Sequence, residues 1–485
     1  MESHSSSSSS SLSMLFFPFL AQGHILPMLD MAKLFAIRGV EATVLTTPAN
    51  AALLQPSIDR ANRSLLRHPM RLRLVPFPSD TGLPEGCENL SSIPSQEMPA
   101  LVTKFSHAFA RLRGPFEWVL RELLPVDCVV TDMFLPWTYD VAAELGVPRL
   151  VFHGTNFFSL CVTDSLGRHS PLESLPAEAE TLVIPGLPHR IEMLRSQIGD
   201  LGELAEVFRE IAVSESKSYG VVVNSFYELE PDYARHYREV VGRRAWHVGP
   251  VALCNRDVAD KSGRGCDAAT VGRNDCPKWL DGKSAGSVLY VCFGSMCDLS
   301  AAQLREMALG LEASGHPFVW ALRDGGDGWV PDGFEERIEG RGLVVRGWAP
   351  QILILNHPSV GGFMTHCGWN SCLEGVSAGL PLATFPLYAD QFYNERLMVD
   401  VLKIGVSTGV KYCTMNPEER GLVGAATIKD VADELMGSGE EARERRRRAR
   451  ELGEMARRAV EKGGSSYEDM GSLIQELMDK KNARS

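Results

Sequence analysis

Residues Trp348–Gln391 read WAPQILILNHPSVGGFMTHCGWNSCLEGVSAGLPLATFPLYADQ. An apolar strand, a Gly-rich turn carrying a histidine, a helix start and a second strand follow one another there. Val360–Thr365 has the character of a strand covered on both faces. His366-Cys367-Gly368 makes a tight turn, and Trp369-Asn370-Ser371 opens a helix through Leu373, Glu374 and Val376 that Gly379 and Pro381 end. The first N–H groups of a helix have no partner inside it, and the aligned peptide dipoles add partial positive charge there. A phosphate at Asn370 and Ser371 would meet free N–H donors and two side-chain donors, with His366 beside it. The same corner also serves as plain architecture, so the run alone leaves a binding role and a structural one both open.

Outward from this run, short apolar segments alternate with helical spacing. Met14–Leu20, Ala42–Thr46, Cys128–Thr131, Arg149–Phe152 and Val221–Asn224 read as strands in the first half. Ser287–Phe293, Phe318–Leu322, Leu343–Arg346 and Leu382–Phe385 continue the pattern in the second. Between the first two strands, Ile25, Leu29, Ala32 and Ala36 keep helical spacing up to Gly39. Such alternation predicts an α/β protein with parallel sheets. A chain of 485 residues exceeds what one hydrophobic core usually supports. Two domains are therefore expected, residues 1–253 and 279–460. Residues 254–278, where Gly, Asp, Asn and Lys replace periodic apolar positions, read as the linker between them. Residues 461–485 hold a short amphipathic helix marked by Tyr467, Met470, Ile474 and Met478. A cleft between two such halves takes its ligands at the carboxyl ends of the strands.

Composition removes several classes. A net charge of −12 argues against a general nucleic-acid binder. The run Arg445–Arg448 is interleaved with Glu441, Glu444 and Glu451 and reads as a solvated helix face. Eleven cysteines without CxxC pairs predict reduced thiols and a cytoplasmic protein, with neither a disulfide framework nor a zinc site. No apolar stretch reaches the ~18–20 residues that cross a bilayer. Leu12–Leu20 has no Lys or Arg before it and contains Pro18, so it reads as the first strand rather than a signal peptide.

Gln22-Gly23-His24 follows that strand at the mouth of the expected cleft. An imidazole there can take a proton near neutral pH, or can sit half-buried against a backbone carbonyl with no chemistry. A carboxylate on its far nitrogen would fix the tautomer and stabilise the imidazolium. Asp132 follows the strand Cys128–Thr131 and is the candidate partner, with the capping of a turn as the lesser alternative. Asp127 precedes the same strand and belongs to the opposite edge. Phe134, Trp137, Phe157 and Phe158 follow first-half strands and are candidates for an apolar pocket, joined by Tyr388 from the second half. Singly, each such aromatic is more often core.

The whole run Trp348–Gln391 closely resembles the sugar-nucleotide-binding box of plant secondary-product UDP-glycosyltransferases. Cys372 stands where Thr is usual and Phe385 where Trp is common. Phe16-Phe17-Pro18-Phe19-Leu20-Ala21-Gln22-Gly23-His24, Asn224-Ser225-Phe226-Tyr227-Glu228-Leu229-Glu230 and Trp246-His247-Val248-Gly249-Pro250 resemble the same family, in its branch that glucosylates flavonoids and other phenolics, triterpenoids or steroids. The resemblance implies the GT-B fold, two Rossmann-like domains facing a cleft, with the C-terminal helix crossing back onto the N-terminal domain. It also implies a catalytic dyad of His24 and Asp132.

On the donor side, the resemblance places Trp348 on the uracil, with Ala349 and Gln351 near the base and ribose. Glu374 would grip both ribose hydroxyls, or be an ordinary helix carboxylate. His366, Asn370, Ser371 and Ser295 would bind the diphosphate, and Trp369, Asp390 and Gln391 the sugar, with Gln391 loosely favouring UDP-glucose. No DxD sequence or carboxylate cluster is placed to hold a cation, so no metal or other cofactor is expected. Displacement by an activated hydroxyl of a small hydrophobic acceptor would invert the anomeric centre and give a β-glucoside. A monomer is expected, without nucleic-acid partners.

Three rivals remain to be weighed. Gly375-Val376-Ser377-Ala378-Gly379 matches the GxSxG of hydrolases, but Ser377 sits near a helix end and no histidine follows His366. A catalytically silent sugar-nucleotide-binding protein would keep the donor run and lose the base. A sugar-nucleotide epimerase would share the architecture without the His24 context.

Overall fold

The computed structural model describes residues 11–64, 66–93, 97–174, 180–199, 205–265, 276–294, 296–322 and 328–484. Ser295 and residues 266–275 of the linker therefore lie outside the described residues.

Nine strands form in the first half among the described residues: β1 (Ser13–Phe17), β2 (Glu41–Thr46), β3 (Arg71–Leu74), β4 (Cys128–Asp132), β5 (Arg149–His153), β6 (Thr181–Ile184), β7 (Ile191–Leu194), β8 (Gly220–Val223) and β9 (Ala245–His247). Seven make one parallel sheet in the order β3-β2-β1-β4-β5-β8-β9, and β6 and β7 pair antiparallel apart from it. The second half contributes β10 (Val288–Cys292), β11 (Phe318–Leu322), β12 (Gly342–Arg346), β13 (Val360–Thr365), β14 (Leu382–Thr384) and β15 (Gly405–Ser407). These form a second parallel sheet, β12-β11-β10-β13-β14-β15. Their central strands are buried along their whole length, β4 and β13 included, because helices cover both faces.

The strand order locates the site. In the first sheet the chain runs outward from β1 through β2 to β3, then returns to β4 on the other side of β1. In the second it runs from β10 through β11 to β12, then returns to β13 beside β10. At each reversal, neighbouring loops leave in opposite directions and open a crevice at the strand carboxyl ends. Phe17 pairs with Thr131 at the first reversal, so Asp132 at the end of β4 and His24 in the helix after β1 come to the same edge. Cys292 pairs with Thr365 at the second, so the loops that follow carry Gly294 and His366.

The linker reading needs correction over its first part. Residues 254–265 are docked rather than irregular, with a short helix at Val258–Gly263. Asp260 accepts from Lys33 Nζ and Arg60 Nε, each at 2.8 Å, which anchors this stretch to the N-terminal domain. At the other end, helix Glu440–Ala459 covers the second domain and helix Ser465–Asn482 crosses to the first. Met470, Leu473 and Leu477 join the N-terminal core there. Asp469 accepts from His247 Nδ1 at 2.8 Å, and the Arg38 guanidinium lies 3.4 Å from the centre of the Tyr467 ring. Within the basic run, Arg447 pairs with Glu444 and Glu451, Arg448 with Glu444, and Arg445 with Glu434 of the preceding helix.

Candidate active site

Helix Gln22–Ile37 begins directly after β1, so His24 lies in its first turn and faces the cleft. Its Nδ1 is 2.8 Å from Asp132 Oδ2. A carboxylate only accepts, so Nδ1 carries the proton and Nε2 keeps its lone pair. Nε2 makes no hydrogen bond to any described residue. Asp132 is fully buried, and its other oxygen accepts from the Phe134 N–H at 3.1 Å, so the carboxylate is held from both sides. Burial pushes the His24 pKa down, but the charge and hydrogen bond of Asp132, aided by Asp390, outweigh it and raise it above 6.5. Asp127 accepts from the Ser13 N–H and pairs with Lys481 at the amino edge of the sheet, far from this chemistry.

Phe19 and Phe134 stand edge-on to the His24 ring, with centroids at 5.5 and 5.6 Å. They form an apolar wall beside the base, backed by Phe105, Phe109 and Phe208. Trp137 is one layer further in, edge-on to Phe17 and Phe116. Phe157 and Phe158 do not line the cleft, a correction to the sequence reading. Both are 0% exposed, packed on Tyr237 with His247 and on Tyr233 respectively. The cause is capping: Asn156 Oδ1 accepts from Ser159 N at 2.7 Å and Glu230 accepts from the N–H groups of Phe157 and Phe158. The helix start thereby turns both rings into the core. Tyr388 is half-buried and donates to the Met296 carbonyl at 3.3 Å, so its hydroxyl is tied to the loop after β10.

On the opposite wall, His366 leaves β13 into a turn where Cys367 takes φ 64°, a left-handed conformation unusual for a residue with a side chain. Its ring lies between two glycines. A Cβ on Gly294 would fall 2.7 Å from His366 Cε1, and one on Gly368 would fall 2.3 Å from Nε2. Burial lowers the His366 pKa to about 4, so the ring is neutral at physiological pH. The helix that follows, Trp369–Ser377, has no side-chain cap at its amino end. Its first N–H groups are therefore available to an anion beside His366.

The remaining donor-side residues gather on this helix and around it. Gln351 Nε2 lies 3.1 Å from Ser371 Oγ and 2.8 Å from Glu374 Oε2. Trp348 and Ala349 precede Gln351 and are half-buried after β12. Gln391 is buried and accepts through Oε1 from the N–H groups of Leu387 and Tyr388, shaping the loop before it. Asp390 accepts from Thr155 Oγ1 at 2.6 Å, and burial raises its pKa. Trp369 donates from Nε1 to the Asn224 carbonyl at 2.7 Å across the domain boundary.

Sequence reasoning passed over several residues that close the cleft. Thr155 holds Asp390, and Asn156 donates from Nδ2 to Asn394 Oδ1 at 2.6 Å. Asn394 in turn donates to the Cys367 carbonyl at 2.9 Å, under the donor turn. Arg264, from the docked linker, reaches Glu374 Oε1 at 2.7 Å. Their partners lie far off in sequence, so local pattern carried no signal for them. Among the described residues no three His, Cys, Asp or Glu side chains are grouped as a metal site would require, and no helix is long and apolar enough to cross a membrane.

Comparison with known proteins places this geometry. The family model described as "UDP-glucoronosyl and UDP-glucosyl transferase" matches residues 220–424. A scopoletin glucosyltransferase from Nicotiana tabacum is 47% identical over 475 residues, covering 96% of this chain and 98% of its own. A UDP-glucose flavonoid 3-O-glucosyltransferase from Fragaria ananassa is 45% identical, covering 96% of each chain. A Glycyrrhiza uralensis enzyme, UGT73P12, solved with glycyrrhetinic acid 3-O-monoglucuronide, superimposes with TM-score 0.91 at 42% identity, over 98% of this chain and 97% of its own. Near-complete coverage at this identity leaves one assignment: the chain belongs to the plant UDP-glycosyltransferases and is a glycosyltransferase of the GT-B fold.

Proposed function

We propose that this glycosyltransferase moves glucose from UDP-glucose to a hydroxyl of a small hydrophobic plant metabolite with inversion, giving a β-glucoside. The observation that carries the proposal is the His24–Asp132 pair, 2.8 Å apart, facing the uncapped start of helix Trp369–Ser377. In this reading the acceptor hydroxyl gives its proton to His24 Nε2 while its oxygen bonds to the anomeric carbon. The bond from that carbon to UDP breaks, and UDP keeps the electron pair. Attack opposite the leaving group inverts the centre. Asp132 stabilises the imidazolium as it forms.

Charge on the departing diphosphate is met by the N–H groups at Asn370 and Ser371, by neutral His366 and by hydroxyls, Ser295 among them. Trp348 and Ala349 receive the uracil, Gln351 and Glu374 the ribose, and Trp369, Asp390 and Gln391 the sugar. Fixed donors of this kind stabilise a developing anion without a cation, which supports a reaction that needs no metal. The apolar wall of Phe19 and Phe134 beside the base supports a flat or fused-ring acceptor. The related proteins act on a coumarin and a flavonoid by their names, and one was solved with a triterpenoid glucuronide. Flavonoids, other phenolics, triterpenoids and steroids are accordingly the acceptor classes to test. The protein is taken to work as a cytoplasmic monomer.

The test screens purified protein with UDP-glucose against these aglycones, with EDTA present and His24→Ala in parallel, following UDP release and product mass. Acceptor-dependent β-glucoside formation that persists in EDTA and collapses in the variant is expected. Tight UDP-glucose binding without transfer to any acceptor would overturn the proposal in favour of a silent binder.

A further inference from the structure

Arg264 spends its two edges on carboxylates from different domains. Nε donates to Asp30 Oδ2 at 2.8 Å and Nη1 donates to Glu374 Oε1 at 2.7 Å. All three side chains are nearly withdrawn from solvent, at 12%, 6% and 6% exposure. Asp30 lies on the helix that starts with the base, and Glu374 on the helix that starts with the diphosphate donors. The peptide beside Arg264 is fastened to the base helix as well, since Gln22 Nε2 donates to the Gly265 carbonyl at 2.8 Å. On the far side, Asp30 Oδ1 accepts from Asn255 Nδ2 at 2.9 Å. The guanidinium thus completes a continuous relay: Asn255, Asp30, Arg264, Glu374, Gln351, Ser371.

The occupancy of Glu374 decides what the relay does. A carboxylate has about four lone-pair sites, two on each oxygen. Arg264 takes one on Oε1 and Gln351 takes one on Oε2, which leaves one site per oxygen. That remainder matches two vicinal hydroxyls. An unpaired carboxylate at this depth would be costly to keep ionised and free to rotate. A planar fork meets both carboxylates in fixed directions; an ammonium at the same place supplies a point charge without that geometry.

We infer that Arg264 is a positioning residue of the donor site, holding the Glu374 carboxylate oriented for the two ribose hydroxyls and tying that orientation to the base helix through Asp30. This rests on the reading of Glu374 as the ribose carboxylate. It assigns the linker a part in donor recognition, beyond joining the domains.

The experiment measures calorimetric binding of UDP and of dideoxyuridine diphosphate, which lacks both ribose hydroxyls, to the full-length protein and to Glu374→Gln, Arg264→Met, Arg264→Lys and Asp30→Asn. Wild type is expected to prefer UDP by about 10- to 100-fold, the worth of hydrogen bonds to a charged group. Glu374→Gln and Arg264→Met should each lose most of that preference, and Arg264→Lys should restore part of it. If wild type binds both ligands equally, the ribose reading of Glu374 falls. If wild type discriminates but Arg264→Met keeps the full preference, or binds UDP more tightly, the role of Arg264 is overturned while that of Glu374 stands. Should Arg264→Met fail to fold in a thermal melt, Asp30→Asn carries the test. It retains the guanidinium but strips the charge from its anchor, and an undiminished preference there overturns the inference.

Discussion

Asn370 reaches across the cleft and donates from Nδ2 to the carbonyl of Gly23, 2.6 Å away. The second residue of helix Trp369–Ser377 therefore touches the residue that precedes His24, one of several hydrogen bonds that join the two halves. Its Oδ1 is buried without a hydrogen-bond partner among the described residues. Asn370→Ala should lower kcat/KM for the donor by about 10-fold, the value of one well-placed hydrogen bond. Asn370→Asp should lower it further, because a carboxylate would face both a carbonyl and the diphosphate. Steady-state kinetics at saturating acceptor checks both.

His24→Ala should reduce kcat by about 100- to 10,000-fold with little change in UDP affinity, as expected for loss of a general base. The pKa of His24 lies above 6.5, so kcat/KM should fall on the acid side with an apparent pKa above that value. Asp132 supplies the main upward push. Asp132→Asn should therefore move the acid limb to lower pH while depressing the plateau. A limb that stays in place would show that Asp132 does not act through His24.

His366 titrates from about 4 when folded, against 6.5 when free, so between these values the unfolded chain binds more protons than the native one. Its contribution to stability is complete above pH 6.5 and is lost as pH falls toward 4. The difference amounts to about 3 kcal/mol. His366→Asn should flatten the pH dependence of stability in this window, measured by denaturant titration at pH 7 and pH 4.5.

Gly368→Ala would place a methyl 2.3 Å from His366 Nε2. The ring must swing out of the diphosphate site, and KM for the donor should rise by about 10-fold or more while the melting temperature falls by only a few degrees. Kinetics and a thermal melt on the same preparation separate this from general unfolding.

Leu473 is completely buried in the N-terminal core although it belongs to the last helix. Leu473→Ala should cost about 2–5 kcal/mol. Denaturant unfolding followed by near-ultraviolet circular dichroism would register the loss.

Much of this arrangement is legible in the sequence because strands covered on both faces are continuous apolar runs. Phe318–Leu322 is read to the residue, and most other long strands to within one to three. Most of the strands that escape have no such run, β6 with Leu182-Val183-Ile184 being the exception. In β3, Arg71 and Arg73 alternate with Leu at an exposed edge, while β9 and β15 are three residues long. His24 and Asp132 are readable because each lies at the carboxyl end of a strand at the reversal of its sheet, Asp132 as the last residue of β4 and His24 in the helix after β1. Phe157 and Phe158 follow β5, one strand beyond that reversal, and mislead because Glu230, 72 residues from Phe158, caps their N–H groups and sets which way the rings turn. Arg264 is unreadable for the same reason: its significance lies in Asp30 and Glu374, 234 and 110 residues distant.

The last helix also constrains how the protein is made. All seven strands of the first sheet have been synthesised once His247 is added, but Met470, Leu473 and Leu477, which seal its core, leave the ribosome only after the entire donor domain. Until then an apolar groove on the nascent acceptor domain stays open to water. Domains usually fold as units in the order of their synthesis. Here the first to be made is the last to be finished, and a chain that stops before Ser465 leaves that first half without its seal.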